Sequence, residues 1–134
     1  MARTQVAVVT DATVIPGTNT PVAAGAGTAI DPTNGMYIAT NGEHGRYLLF
    51  MDVTTGTSKT MTVKQGVNPP AFRNVADATI ALTTAKYWAG PFESAAFSQS
   101  AAAGTSTAAG DILLDFTAST AGTIWALLLP NDAN

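Results

Sequence analysis

Residues 46–64 alternate in a way that a β-strand accommodates and a helix does not. In Arg46-Tyr-Leu-Leu-Phe-Met-Asp-Val53, the apolar residues Leu49, Met51 and Val53 recur at period two. After the turn-forming Thr54-Thr-Gly-Thr57, Met61 and Val63 alternate with Thr60, Thr62 and Lys64. Successive strand side chains point to opposite faces, so the pattern describes a half-buried β-hairpin.

The remaining chain is cut into short pieces by turn residues. Asp31-Pro-Thr-Asn-Gly35 and Asn41-Gly42 bracket a strand at Met36-Tyr-Ile-Ala-Thr40, and Pro69-Pro70 rules out a helix or an inner ladder there. Residues 71–77 allow one helical turn or a loop. Ile80 and Leu82 point inward from a strand at 79–82, a strand at 86–91 ends at Gly90-Pro91, and a short strand at 93–98 carries Phe97. Residues 100–110, rich in Ala, Gly, Ser and Thr, read as an exposed hairpin loop. In Asp111-Ile-Leu-Leu-Asp-Phe-Thr117, Ile112, Leu114 and Phe116 form an apolar side opposite Asp111, Leu113 and Asp115. Thr123-Ile-Trp-Ala-Leu-Leu-Leu-Pro130 is apolar on both faces and belongs either at the centre of a sandwich or at a contact. The expected fold is all-β, a small antiparallel β-sandwich or barrel of about eight short strands.

Two regions follow from this reading. Residues 1–28 hold an N-terminal strand, with Val6 and Val8 in it, and an extended Gly/Ala/Pro-rich arm whose small residues supply little apolar area to offset ordering entropy. Residues 29–134 form the sandwich.

Composition removes several functions. Charged residues are 11% of the chain, against about 25% in an average soluble domain, a poverty typical of β structure in large assemblies. The net charge is −3 and the six basic residues are dispersed, so no cluster releases counterions from a phosphate backbone and no nucleic-acid partner is expected. No apolar run approaches the ~20 residues of a membrane span, and the start of the chain lacks a signal h-region. With no cysteine, a thiol nucleophile and a Cys-ligated zinc are excluded.

A hydrolytic triad would need His44, the sole histidine, which sits beside Glu43 and between glycine-rich neighbours with no nucleophile-elbow motif. Asp111 and Asp115 read as the solvated side of an amphipathic strand rather than as an acid/base pair. No metal-ligand spacing is recognisable, and neither catalytic residues nor a cofactor are expected. The residues with binding character are aromatic and aliphatic: Val6, Val8, Tyr87, Trp88, Phe92, Trp125, Leu127 and Leu129. Tyr87 and Trp88, as strand neighbours, face opposite ways and do not make one platform, so core packing or protein contact is favoured over sugar stacking.

Four stretches carry a resemblance: residues 28–35 (Thr-Ala-Ile-Asp-Pro-Thr-Asn-Gly), 62–73 (Thr-Val-Lys-Gln-Gly-Val-Asn-Pro-Pro-Ala-Phe-Arg), 88–97 (Trp-Ala-Gly-Pro-Phe-Glu-Ser-Ala-Ala-Phe) and 122–130 (Gly-Thr-Ile-Trp-Ala-Leu-Leu-Leu-Pro). Across most of residues 29–130 the chain resembles the small head decoration proteins encoded beside the major capsid protein in tailed bacteriophages, particularly those of actinobacteria. The Gly/Ala insertion at 100–110 departs from that family's more compact form. The resemblance implies a β-sandwich virion protein without enzymatic activity that decorates or cements the capsid exterior. Its expected partners are the major capsid protein and other copies of itself, with a trimer as the unit and the arm laid along capsid subunits. A tail or neck protein, or a displayed glycan- or receptor-binding module, is the alternative.

Overall fold

A computed structural model describes residues 2–10, 25–40, 46–66, 76–92, 97–99 and 110–129. Their strands are β1 (Thr4–Gln5), β2 (Val8–Thr10), β3 (Thr28–Ala29), β4 (Met36–Ile38), β5 (Tyr47–Thr55), β6 (Lys59–Val63), β7 (Ala78–Leu82), β8 (Lys86–Ala89), β9 (Ile112–Phe116) and β10 (Ala121–Leu128). One sheet has the order β1-β4-β9-β6-β7. The other runs β2-β10-β5-β8, with β3 also paired to β10. The two are layers of a sandwich, not a closed barrel. Both sheets are mixed rather than antiparallel, because β1 joins β4 and β2 joins β10 in parallel.

The alternation in residues 46–64 does give two half-buried strands, but they do not form a hairpin. β5 pairs with β10 and β8, whereas β6 pairs with β9 and β7 in the opposite sheet. The chain therefore arches from one layer to the other at Gly56, where a side chain would meet the Thr83 carbonyl and Val53. An arch needs the same inward stripe as a hairpin, since Leu49, Met51 and Val53 now face Met61 and Val63 across the core. Period two is silent on which neighbour a strand takes.

The core is made of the inward stripes of both sheets: Met36, Ile38, Leu49, Met51, Met61, Val63, Leu82, Ile112, Leu114 and Ile124 are all buried. β10 lies inside its sheet, as its two apolar faces required. On β9 the expected solvated side holds only for Asp115. Asp111 and Leu113 are buried; residues 97–99 run beside the start of β9 through a Ser98–Ile112 bridge and a Gln99 N–H bond to the Asp111 carbonyl (2.9 Å).

The N-terminal residues belong to both layers. β1 lies at the end of one sheet and β2 at the end of the other, with Val6 between them fully buried. Val6 donates its N–H to the Tyr37 carbonyl (2.9 Å), while the carbonyl of Ala7 accepts from Ala126 (3.1 Å). Residues 4–10 are thus hydrogen-bonded to the sheets built from residues beyond 28. Arg3 ties the entry down through Asp115 (2.6 Å) and the Leu114 carbonyl (3.1 Å).

Asp31 fixes the adjoining turn as its Pro-Thr-Asn-Gly context predicts. One carboxylate oxygen accepts from the Thr33 and Asn34 N–H groups (both 3.0 Å), and the other from the Thr4 hydroxyl (2.7 Å) and the Asn34 amide (3.0 Å). These donors, the Asn34 N–H foremost and the Thr4 hydroxyl next, hold its carboxyl well below the usual carboxylate range. The expected arm at 16–28 lies outside the described residues except for its last four, of which Thr28 starts β3. The expected loop at 100–110, except Gly110, and residues 71–75 and 93–96 also lie outside them.

Candidate binding face

The outer surface of the β2-β10-β5-β8 sheet is where binding character collects. On β5, Leu49 and Met51 point into the core, so Leu48, Phe50 and Asp52 point out. Antiparallel registry places Trp125 of β10 opposite Phe50, and Phe50 opposite Trp88 of β8. The three rings form one row across three adjacent strands. The Phe50 ring centroid lies 4.7 Å from that of Trp88 and 5.3 Å from that of Trp125, with interplanar angles of 44° and 36°. Spacings near the inter-strand distance follow from cross-strand pairing on a single face.

Rows of different chemistry flank the rings. Two residues along each strand toward one end, Thr123, Asp52 and Lys86 stand in register, and Lys86 Nζ contacts Asp52 Oδ2 at 2.8 Å. Toward the other end, Leu127 pairs with Leu48 on one side and with Val9 of β2 on the other. The face thus grades from polar through aromatic to aliphatic. Trp88 is 65% exposed and is the one exposed large hydrophobic residue among those described. Trp125 is partly covered: its indole N–H donates to the Gly25 carbonyl (3.2 Å), and a Cβ at Gly27, whose φ is +71°, would sit 2.5 Å from the ring. Glycine at 27 lets the backbone cross the indole closely.

The residues singled out by sequence therefore divide. Trp88, Trp125 and Leu127 share the outer face. Val6 is enclosed in the core, and Val8 packs against it opposite Ala126. Tyr87 also turns inward, opposite Met51, and its hydroxyl meets the Thr83 N–H (2.7 Å) and hydroxyl (2.8 Å). Phe92 is buried edge-on against Phe97 at 5.9 Å. These four face inward: the alternation that turns Trp88 and Val9 outward sends Tyr87 and Val8 the other way, and Val6 and Phe92 are buried. Leu129, just past β10, is half-buried, and its carbonyl accepts from the Arg46 guanidinium (3.0 and 2.5 Å). Phe50, the centre of the row, escaped the sequence reading; its outward position on β5 was legible, but not its pairing with two tryptophans.

Chemically, this face offers desolvation and ring contact. Burying one aromatic side chain completely is worth about 2–3 kcal/mol. Among the described residues no three His, Cys, Asp or Glu side chains gather to hold a metal, and His44 and Glu43 lie outside those residues. No protein-family model matches the chain, and no curated protein or solved structure matches it.

Proposed function

We propose that this chain is a structural virion protein that binds the outer surface of a phage capsid through the aromatic face of β10, β5 and β8. The observation that carries the reading is the row Trp125–Phe50–Trp88, with Trp88 largely exposed on a chain otherwise poor in surface charge. Tryptophan is the residue most enriched at energetic centres of protein interfaces, and an aromatic row backed by a rigid sheet loses little entropy on docking. The resemblance to head decoration proteins supplies the partner, the major capsid protein. A lattice of copies makes modest individual contacts sufficient for retention. Co-sedimentation with shells of the capsid protein tests this: saturable binding at a fixed ratio is expected, lost in Trp88→Ala. Absence of binding to both immature and expanded shells rejects it.

A second reading, a displayed glycan-binding module, is favoured by one observation: the polar row Thr123–Asp52–Lys86 runs beside the rings. Pyranose sugars present an apolar face for stacking and hydroxyls for such neighbours. A glycan array with the whole chain distinguishes the two, since hits abolished by Trp88→Ala support the module and a blank array removes it.

A further inference from the structure

We propose that β7 is an association edge, to which a second copy of this chain adds its own β7, antiparallel, across a two-fold axis. The inference rests on the fold and is independent of the capsid reading. Strand edges expose unpaired N–H and C=O groups, and proteins blunt them with short length, charge or proline. Among the described residues the other edge strands are blunted. β1 and β3 have two residues each, β2 has three, and β8 opens with Lys86 and stops before Gly90-Pro91. β7 is different. Its five residues, Ala-Thr-Ile-Ala-Leu, include no charge and no proline, and it keeps an unbroken register with β6 from Lys59–Leu82 to Val63–Ala78. Among the described residues β6 is its one sheet neighbour.

The strand is also self-complementary. A two-fold axis normal to the sheet generates an antiparallel pair of identical strands. With Ile80 opposite its own copy, Thr79 meets Ala81 and Ala78 meets Leu82. Every pair then joins residues of the same face, as a sheet with one buried side requires. Ile80, half-buried at the margin of the core, gains the other Ile80 as a neighbour, and the exposed Thr79 and Ala81 oppose no like charges. The product is a ten-stranded sheet made from the two five-stranded ones.

Sedimentation velocity of the full chain over a range of concentrations tests the idea. A concentration-dependent dimer is expected, with Thr79→Lys/Ala81→Lys shifted to monomer and Thr62→Lys, on the inner strand β6 of the same sheet, still dimeric. Both edge positions are exposed, so circular dichroism of the double variant should match the parent, and so should its melting temperature at dilutions where the parent is monomeric. Because the chain has no cysteine, a spin label on Ala81→Cys adds a reading that does not depend on the lysine variants: dipolar broadening from the second copy, removed by dilution with unlabelled chain. A monomer at all concentrations, a trimer, a dimer that survives the two lysines, or a label without broadening would overturn the proposal.

Discussion

The two outer faces of the sandwich stand on similar five-stranded frames and carry opposite chemistry. On the β1-β4-β9-β6-β7 sheet, the outward positions of β6 and β7 are Thr60, Thr62, Thr79 and Ala81, with Asp115 of β9 paired to Thr62 and bonded to Arg3. On the other, the corresponding central positions are Phe50, Trp88 and Trp125. The inner faces are alike, built from Leu, Ile, Val and Met, because both must fill one core. Core packing therefore does not account for the aromatic row; an equally sound sheet is made with threonine outside. That contrast is why the aromatic face, rather than any buried feature, is read as the functional one.

Substitutions at neighbouring positions break the comparison most sharply. Leu49→Ala, on the inner side of β5, should lose about 2–5 kcal/mol in chemical denaturation, the range for a buried leucine that leaves a cavity. Phe50→Ala, one residue on but outward, should cost less, about 1–2 kcal/mol from two ring contacts and partial burial, while disrupting partner binding far more than Leu49→Ala does per unit of stability lost.

Next in size is Gly122→Ala. Gly122 lies at the register shift between β10 and β5 with φ +150°, and an added Cβ would run into the Asp52 carbonyl and the Val53 backbone. A loss of about 2–3 kcal/mol is expected, with the outer rows displaced, so indole fluorescence should change together with the melting temperature.

Acid titration probes the opposite side of the molecule. The carboxyls of Asp31 and Asp77 are held below their unfolded value of about 3.9, the former by the turn donors and Thr4, the latter by the Gln65 N–H (2.7 Å) and then Lys64. A depressed folded pKa means that the unfolded chain binds more protons in this window, so stability rises with pH there. The melting temperature should hold above about pH 5 and fall as pH drops through 4 and below. Asp31→Ala, less stable at neutral pH, should show a shallower fall. Smallest of all, Trp88→Ala and Thr62→Val should each change stability by no more than about 0.5–1 kcal/mol. If Trp88→Ala proved as destabilising as Leu49→Ala, the aromatic row would be part of the scaffold and the functional reading of that face would fall.

Strand positions were legible because burial on one side imposes period two: Leu49/Met51/Val53, Met61/Val63 and Ile112/Leu114/Phe116 all point where their spacing puts them. Partner choice was not legible. Nothing in residues 54–58 distinguishes a turn within one sheet from an arch between two, and that decision rests on β9 and β10 taking the places beside β6 and β5. The same limit governed the binding face. Trp88 and Trp125 stood out by residue type, yet only long-range registry brings Phe50 between them and sets Tyr87 opposite Met51. Asp111 misled because its alternation is that of a solvated residue, whereas it is buried where its carbonyl accepts from the Gln99 N–H.

The position of β2 has a consequence for how the molecule is made. Val8 pairs with Ala126, so β2 has its sheet partner in β10, far from it along the chain. Without that pairing Val6 would lack one of its two walls. Contacts so distant along the chain form late, after loop closure has been offset by nearer pairings. The N-terminal segment is therefore the seal rather than the nucleus: it ties the two layers together along one margin, where β1 joins β4 and β2 joins β10.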